Sequence, residues 1–258
     1  MKNLNIIILL ASACLLASCS PSTQDVTVNW QLNLAHGTDT CQTNERKNQS
    51  APTSVWSEIG FYAYDFKLLN AQNEAFPLQL TQSRDLIYVD LTCKPGSSNE
   101  ESTHQFTFTG AVSGADILEF TIGVPFAKNH LNPLQQQYPL NQPAMFWVWQ
   151  TGHKFFRLEG TQSGRDVLFH LGSTGCVSAS ALRPPEMPCQ HPNRVTVQVP
   201  LTAYQGNSLT LTLDPTKLLK TSSSDSSIRC QSEQDNTQCP ALISALKNNI
   251  ESGVFTLQ

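Results

Sequence analysis

Four stretches of the 258-residue sequence carry side chains that could do chemistry together. "GVPFAKNH" (123–130) ends in His130, and "MFWVWQTGHKFF" (145–156) holds Met145, Trp147, Trp149 and His153. "FHLGSTGC" (169–176) sets His170 before a Gly-Ser-Thr-Gly turn, and "CQHPNRVTV" (189–197) follows it. Imidazole and thioether are side chains that can ligate a transition metal. His36, His104 and His191 lie in loop-like or strand-edge contexts and read as surface residues. His36 and His153 stand as outside candidates for the site. "LGSTGC" does not match the G-x-S-x-G of a serine hydrolase, and no acid–histidine pair follows from spacing. No catalytic residue is therefore assigned, and the chain is read as a binding protein rather than an enzyme. The competing reading is a plain core: a W-x-W pair on a strand ordinarily packs inward, and a strand histidine is more often a satisfied core residue than a ligand.

The elements that must position these residues are short strands. "VTVNWQLNL" (26–34), "FYAYDFKLL" (61–69), "DLIYVDLT" (85–92) and "HQFTFTGAV" (104–112) alternate apolar and polar residues. So do "ILEFTIGVPF" (117–126), "DVLFHLG" (166–172), "RVTVQVPL" (194–201) and "SLTLTLD" (208–214). Period two with Val, Thr, Phe and Tyr means half-buried strands. On a strand, Met145, Trp147 and Trp149 would share one face. Gly152 would break the run as a turn or bulge, after which His153, Phe155 and Arg157 alternate with Lys154, Phe156 and Leu158. Only "PALISALKNNIESG" (240–253) reads as a short helix. Polar loops are expected at 41–55, 94–103 and 221–238. The fold class is all-β: an antiparallel sandwich, or sandwich-like barrel, with disulfide-restrained loops and a short C-terminal helix. With no internal repeat and no dividing linker, residues 26–258 read as one domain.

The N-terminus reads differently. "MKNLNIIILLASACLLASCS" has one lysine, an apolar run and then "LASC". It resembles a bacterial lipobox, which implies that residues 1–19 end in a lipidated Cys19, followed by a short tether over 20–25. The protein would then be membrane-anchored through lipid, and Ser20 after the cysteine implies the outer membrane, facing the periplasm. An oxidising compartment makes disulfides of the remaining six cysteines, Cys41, Cys93, Cys176, Cys189, Cys230 and Cys239. Local spacing favours Cys176–Cys189 and Cys230–Cys239, which leaves Cys41–Cys93. No C-x-x-C pair supports a thiolate metal site. With 20 acidic residues against 16 basic ones and no basic stripe, nucleic acid is excluded as a partner.

The run "FTIGVPFAKNHLNPLQQQYPLNQPAMFWVWQTGHKFFRLEG", then "FHLGSTGC", then "CQHPNRVTV", resembles the MbnP-like family from about residue 59 to 215. These are periplasmic copper-binding proteins encoded beside a di-haem cytochrome-c-peroxidase-like partner, the four-Cys half of a "metallo-mystery pair". The resemblance implies that the partner oxidises a tryptophan of this chain to kynurenine and that the chain binds copper. His130 and His170 match motif histidines, and Trp147 and Trp149 match the family's W-x-W. With a weak third donor from Met145 or an aromatic-derived group, the two histidines would make the linear or trigonal site that Cu(I) accepts. A wall of tryptophan and phenylalanine would exclude water and favour Cu(I) over Cu(II), and zinc, the competing metal, ordinarily takes three or four strong protein ligands. Asp65, in "GFYAYDFKLL", matches a strand aspartate and is expected to support the site. Cys176, Cys189, Cys230 and Cys239 match the four cysteines. The sequence departs from the family pattern at His153, where tyrosine is usual, and lacks the usual glycine-methionine beside the later cysteines.

Overall fold

The computed structural model describes residues 22–33, 54–76, 78–81, 85–92, 104–202, 204, 206–220 and 227–258. Cys19, His36, Cys41 and Cys93 lie outside the described residues, as do the expected anchor and the Cys41–Cys93 pairing. Strands are numbered along the chain. One sheet joins β1 (Gln24–Leu32), β4 (Leu78–Leu80), β6 (His104–Gly110), β11 (Ser208–Leu213) and β13 (Phe255–Leu257), in the order β13-β11-β1-β6-β4. The other runs β10-β7-β2-β8-β9-β12. Its members are β2 (Ser54–Leu69), β7 (Ile117–Ile122), β8 (Lys154–Gln162), β9 (Arg165–Gly172), β10 (Val195–Pro200) and β12 (Ile228–Cys230). The short β3 (Ala75–Phe76) and β5 (Leu86–Asp90) also pair with β2.

The expected β-sandwich is present, and its strands arise as alternation dictates. On β1 the buried residues are Val26, Val28 and Trp30, every second position. Trp30 stands at the centre of the core, edge-on to Phe61, Phe120 and Phe255 at ring separations of 5.1, 5.4 and 5.9 Å. Each such pair adds roughly 0.5–1.5 kcal/mol beyond the area it buries. The middle of β2, from Ile59 to Ala63, is buried without alternation. This central strand is therefore covered on both faces, one by the inter-sheet core and the other by loops that carry the candidate site.

Four details differ from the sequence reading. The first strand opens at Gln24, so the last residues expected in the tether belong to the sheet, where Gln24 and Asp25 pair with Gly110 and Thr109. Two pairings, β1 with β11 and β9 with β12, are parallel within otherwise antiparallel sheets. Strand β7 stops at Ile122, and Pro125 begins a short helix, α1 (Phe126–Asn129), in place of a strand running to residue 126. The C-terminal helix is divided at Asn248 into α3 (Cys239–Lys247) and α4 (Asn249–Ser252). Between α1 and α3, α2 (Pro215–Leu219) is capped by the Asp214 carboxylate, which accepts from the Thr216 amide at 3.0 Å. Among the described residues no helix is long and apolar enough to cross a membrane.

Candidate metal centre

The W-x-W segment is not a strand. Pro143 opens a single 3₁₀ turn ending at Met145, and only Phe146 makes a β-bridge, to His153. The Trp147 amide donates to the Gly152 carbonyl at 3.1 Å, and the Gly152 amide donates to the Val148 carbonyl at 2.7 Å. Gly152 sits at φ +79, where a side chain would be strained and would strike Asn129. A proline before the pair and a Thr-Gly turn after it leave too few residues for a ladder, so the segment closes into a loop. Met145 is buried in the core, whereas Trp147 and Trp149 are half-buried.

Strand β9 delivers His170 to the outer face of its sheet. Phe169 packs on Phe156 in the core at 5.7 Å, so alternation turns His170 the other way. Arg157 lies opposite His170 in the β8–β9 register, and Glu159 follows two residues on, on the same face. His170 Nε2 is 2.7 Å from Glu159 Oε1, and Arg157 Nε donates to that same oxygen at 2.8 Å. Arg157 Nη1 reaches Glu58 Oε2 at 3.2 Å. His170 Nδ1 is buried and has no hydrogen-bond partner among the described residues. The Trp147 ring lies 6.2 Å from the His170 ring and covers Gly172, where a Cβ would collide with the indole. Buried Ser232 fixes the strand end from the side. Its hydroxyl donates to the His170 carbonyl and accepts from the Gly172 amide, both at 3.0 Å.

His130 ends α1 and faces the other half of the loop. Its Nδ1 is 3.1 Å from the Trp149 carbonyl, to which it donates. That bond assigns the lone pair to Nε2, which accepts from the Asn129 side-chain amide at 3.2 Å and lies 3.8 Å from Cys189 Sγ. Cys189 is bonded to Cys176, and Cys230 to Cys239, as the local spacings suggested. His130 Nε2 and the two sulfurs of the first disulfide lie within 4.8 Å of one another, but sulfurs joined in a disulfide are not thiolate ligands.

His130 and His170 therefore share no partner among the described residues. What joins them is the loop: the Trp147 ring rests by His170, and the Trp149 backbone holds His130. Among the described residues no ring stacks on the Trp149 indole. His153 is fully buried and serves as a brace. Its Nδ1 and Nε2 face the carbonyls of Asn129 and Leu140 at 2.7 and 3.2 Å. Its ring meets Phe146 and Tyr62 edge-on; a neutral imidazole donates to one of these carbonyls while the other closes off its second nitrogen, so neither is offered to a metal. Met145 is packed away in the core cluster. Asp65 is also remote in role: it takes a left-handed φ of 54 at the β2–β7 register shift and pairs with Lys67 at 2.9 Å in solvent. It shapes a bulge and touches none of the candidate ligands. His191 makes a backbone bridge to Thr174.

Burial pushes His130, His153 and His170 below the usual imidazole range, against the opposing pull of the Trp149 carbonyl on His130 and of the Glu159 carboxylate on His170. Burial would raise Glu159, but its bonds from Arg157 and His170 outweigh it and hold the carboxyl below its ordinary value. The histidines are thus neutral at pH 7, the form that carries a lone pair. Glu159, Arg157, Asn129 and Ser232 were not singled out from sequence. The signal for two of them was visible: Arg157 and Glu159 are charges spaced by two inside an apolar strand, and so share its outward face.

The sequence profile of the MbnP family matches residues 23–239, well beyond the stretch that carried the resemblance. Among solved structures, MbnP from Methylosinus trichosporium is similar to this chain with a TM-score of 0.64 and 26% identity, over 87% of this chain and 89% of that one. No curated protein matches the sequence.

Proposed function

This chain belongs to the MbnP family, and from that premise we propose that it is a copper-binding protein of the bacterial envelope, anchored through Cys19. In this reading it is the substrate of a di-haem cytochrome-c-peroxidase-like partner and not itself an enzyme. The observation that carries the reading is the state of the two histidines. Each has one nitrogen engaged by an acceptor and the other left with a lone pair, the arrangement in which metal-binding histidines are held. The more telling of the two is His170, whose Nδ1 is a buried polar atom with no partner among the described residues. Leaving such an atom unsatisfied costs about 1–3 kcal/mol, and a cation at that position removes the cost. The donor set suits Cu(I): two neutral imidazoles, an aromatic cover, and no carboxylate free to add a hard ligand. Glu159 is occupied by Arg157 and His170.

Trp147 is the better substrate for the partner. Its indole is half-exposed and lies beside His170, while Trp149 contacts His130 through its backbone alone. An indole N–H can only donate. Oxidative opening to kynurenine, in which the haem partner takes up the electrons, water supplies the oxygen and the lost ring carbon leaves as formate, gives an aniline nitrogen and a carbonyl that can offer lone pairs. Bound copper would be cargo; the chain's own residues hold it, keep it from water and fix its neighbours.

The test is Cu(I) titration of protein isolated from cells that carry the partner. Wild type should bind copper, and His130→Ala and His170→Ala should each lose most of the affinity. The double variant should be little worse than either, since the ligands act as a unit. Wild-type affinity in both single variants would put the metal elsewhere and sink the reading.

A further inference from the structure

We propose that Glu159 is a positioning residue: it locks His170 in the tautomer protonated at Nε2 and so aims the Nδ1 lone pair at the copper position. This rests on the copper reading above. The geometry points to it on three counts. First, an ionised carboxylate can only accept, so at 2.7 Å from Glu159 Oε1 the His170 Nε2 must carry the hydrogen. Second, the carboxylate is itself fixed. Arg157 Nε donates to the same Oε1 at 2.8 Å, and Arg157 is held in turn by Glu58. Gly60 stands opposite Arg157 in the β2–β8 register, where a side chain would collide with the Tyr88 ring. The chain Glu58–Arg157–Glu159–His170 thus crosses three adjacent strands on one face. Third, the strand that carries the imidazole is held just after it, because the Ser232 hydroxyl donates to the His170 carbonyl and accepts from the Gly172 amide. His170 Nδ1 is then the ring nitrogen with a lone pair, and it has no other partner among the described residues. His130 has its tautomer set by a backbone carbonyl instead and presents the opposite nitrogen, Nε2, to which the Asn129 side-chain amide donates. A carboxylate partner also raises the basicity of the nitrogen it leaves free, which a carbonyl does less well.

The experiment reads the tautomer in metal-free protein and the affinity separately. Two-bond nitrogen–proton correlation spectra should show His170 with a pyrrole-like Nε2 and a pyridine-like Nδ1. Glu159→Ala should mix the tautomers and weaken Cu(I) binding about 10–100-fold, the usual cost of removing such a partner. Glu159→Gln keeps a carbonyl able to accept from Nε2 and should restore the wild-type tautomer and most of the affinity. A hydrogen on Nδ1 in wild type would overturn the proposal, as would a Glu159→Ala protein with unchanged tautomer and affinity. His170→Ala separates the two readings. If it binds copper like wild type, His170 is not a ligand and the aim of the lock fails whatever tautomer the spectra show; the copper reading itself falls only if His130→Ala also binds like wild type.

Discussion

The four tryptophans divide into two pairs that differ in everything but residue type. Trp30 and Trp56 are wholly buried between the sheets, and neither indole nitrogen has a hydrogen-bond partner among the described residues. Trp147 and Trp149 sit half-buried on a loop outside one sheet, beside imidazoles. The inner pair is there for volume and aromatic packing, strongly enough that two orphaned N–H groups are tolerated at about 1–3 kcal/mol each. The outer pair contributes little to the core and leaves an indole within reach of an external oxidant. One residue type thus fills the core in one layer and lies beside imidazoles in the next, and local sequence decides which. "VTVNWQL" continues its alternation through Trp30, whereas proline before and Thr-Gly after "MFWVW" cut the alternation short.

The strongest way to break this comparison is to truncate one member of the inner pair. Trp30→Ala should cost about 3–5 kcal/mol, as large-to-small changes of buried aromatics do. It should lower the denaturant midpoint sharply or prevent folding. A loss below about 1 kcal/mol would mean that Trp30 is not the keystone its ring contacts suggest.

Acid should act on the outer layer instead. Three buried imidazoles, His130, His153 and His170, are held below the ordinary range. In the unfolded chain they take up protons near pH 6.5. As pH falls below that value, the unfolded state gains protons that the folded state refuses, and stability declines towards the depressed folded values. Above about pH 6.5 both states are neutral and these groups add no slope. Denaturant unfolding measured in metal-free protein from pH 8 downward should therefore be flat with respect to these groups and then fall. His153→Phe should make the fall shallower, because it removes one of the three sites. An unchanged slope would show that His153 is protonated between its two carbonyls in the folded protein.

The inner layer was the more legible in sequence. Alternation located eight strands and the aromatic residues that fill the sandwich, because a period of two is imposed by the pleat itself. Cysteine spacing suggested both described disulfides. The site was legible in its residue types but not in its wiring. His130, His170 and the tryptophans could be picked out, yet the strand proposed for the tryptophans was a loop. The partners that set each tautomer came from elsewhere in the chain: a carbonyl 19 residues from His130 and a carboxylate 11 residues from His170. Hydrogen bonds of that kind depend on register and loop closure, which a linear pattern does not encode. His153 shows the same limit from the other side. As a residue it could be a ligand; only the two carbonyls facing it make it a brace.

The smallest expected change in stability tests the comparison most finely. Trp147→Phe removes a half-exposed indole from a loop and keeps an aromatic ring over Gly172. It should therefore alter stability by less than about 1 kcal/mol, in the range of substitutions that touch no core or buried network. Its chemical consequence should be out of proportion to that change. Phenylalanine has no pyrrole ring to open, so protein from cells that carry the haem partner should contain no kynurenine and should bind Cu(I) no better than metal-site variants. Trp30→Ala reverses the pattern, with a large loss of stability and no direct loss of an oxidisable site. Peptide mass spectrometry of wild type should find kynurenine at residue 147 and intact tryptophan at 30, 56 and 149. The two inner indoles should remain intact because the sheets exclude any protein oxidant from them. Trp149 should remain intact because its role is carried by its backbone carbonyl on His130, and its indole is not the one beside His170. Kynurenine at 149 with 147 intact would reverse the assignment within the loop and leave the division between layers standing. Modification at Trp30 or Trp56 in folded protein would destroy the division itself.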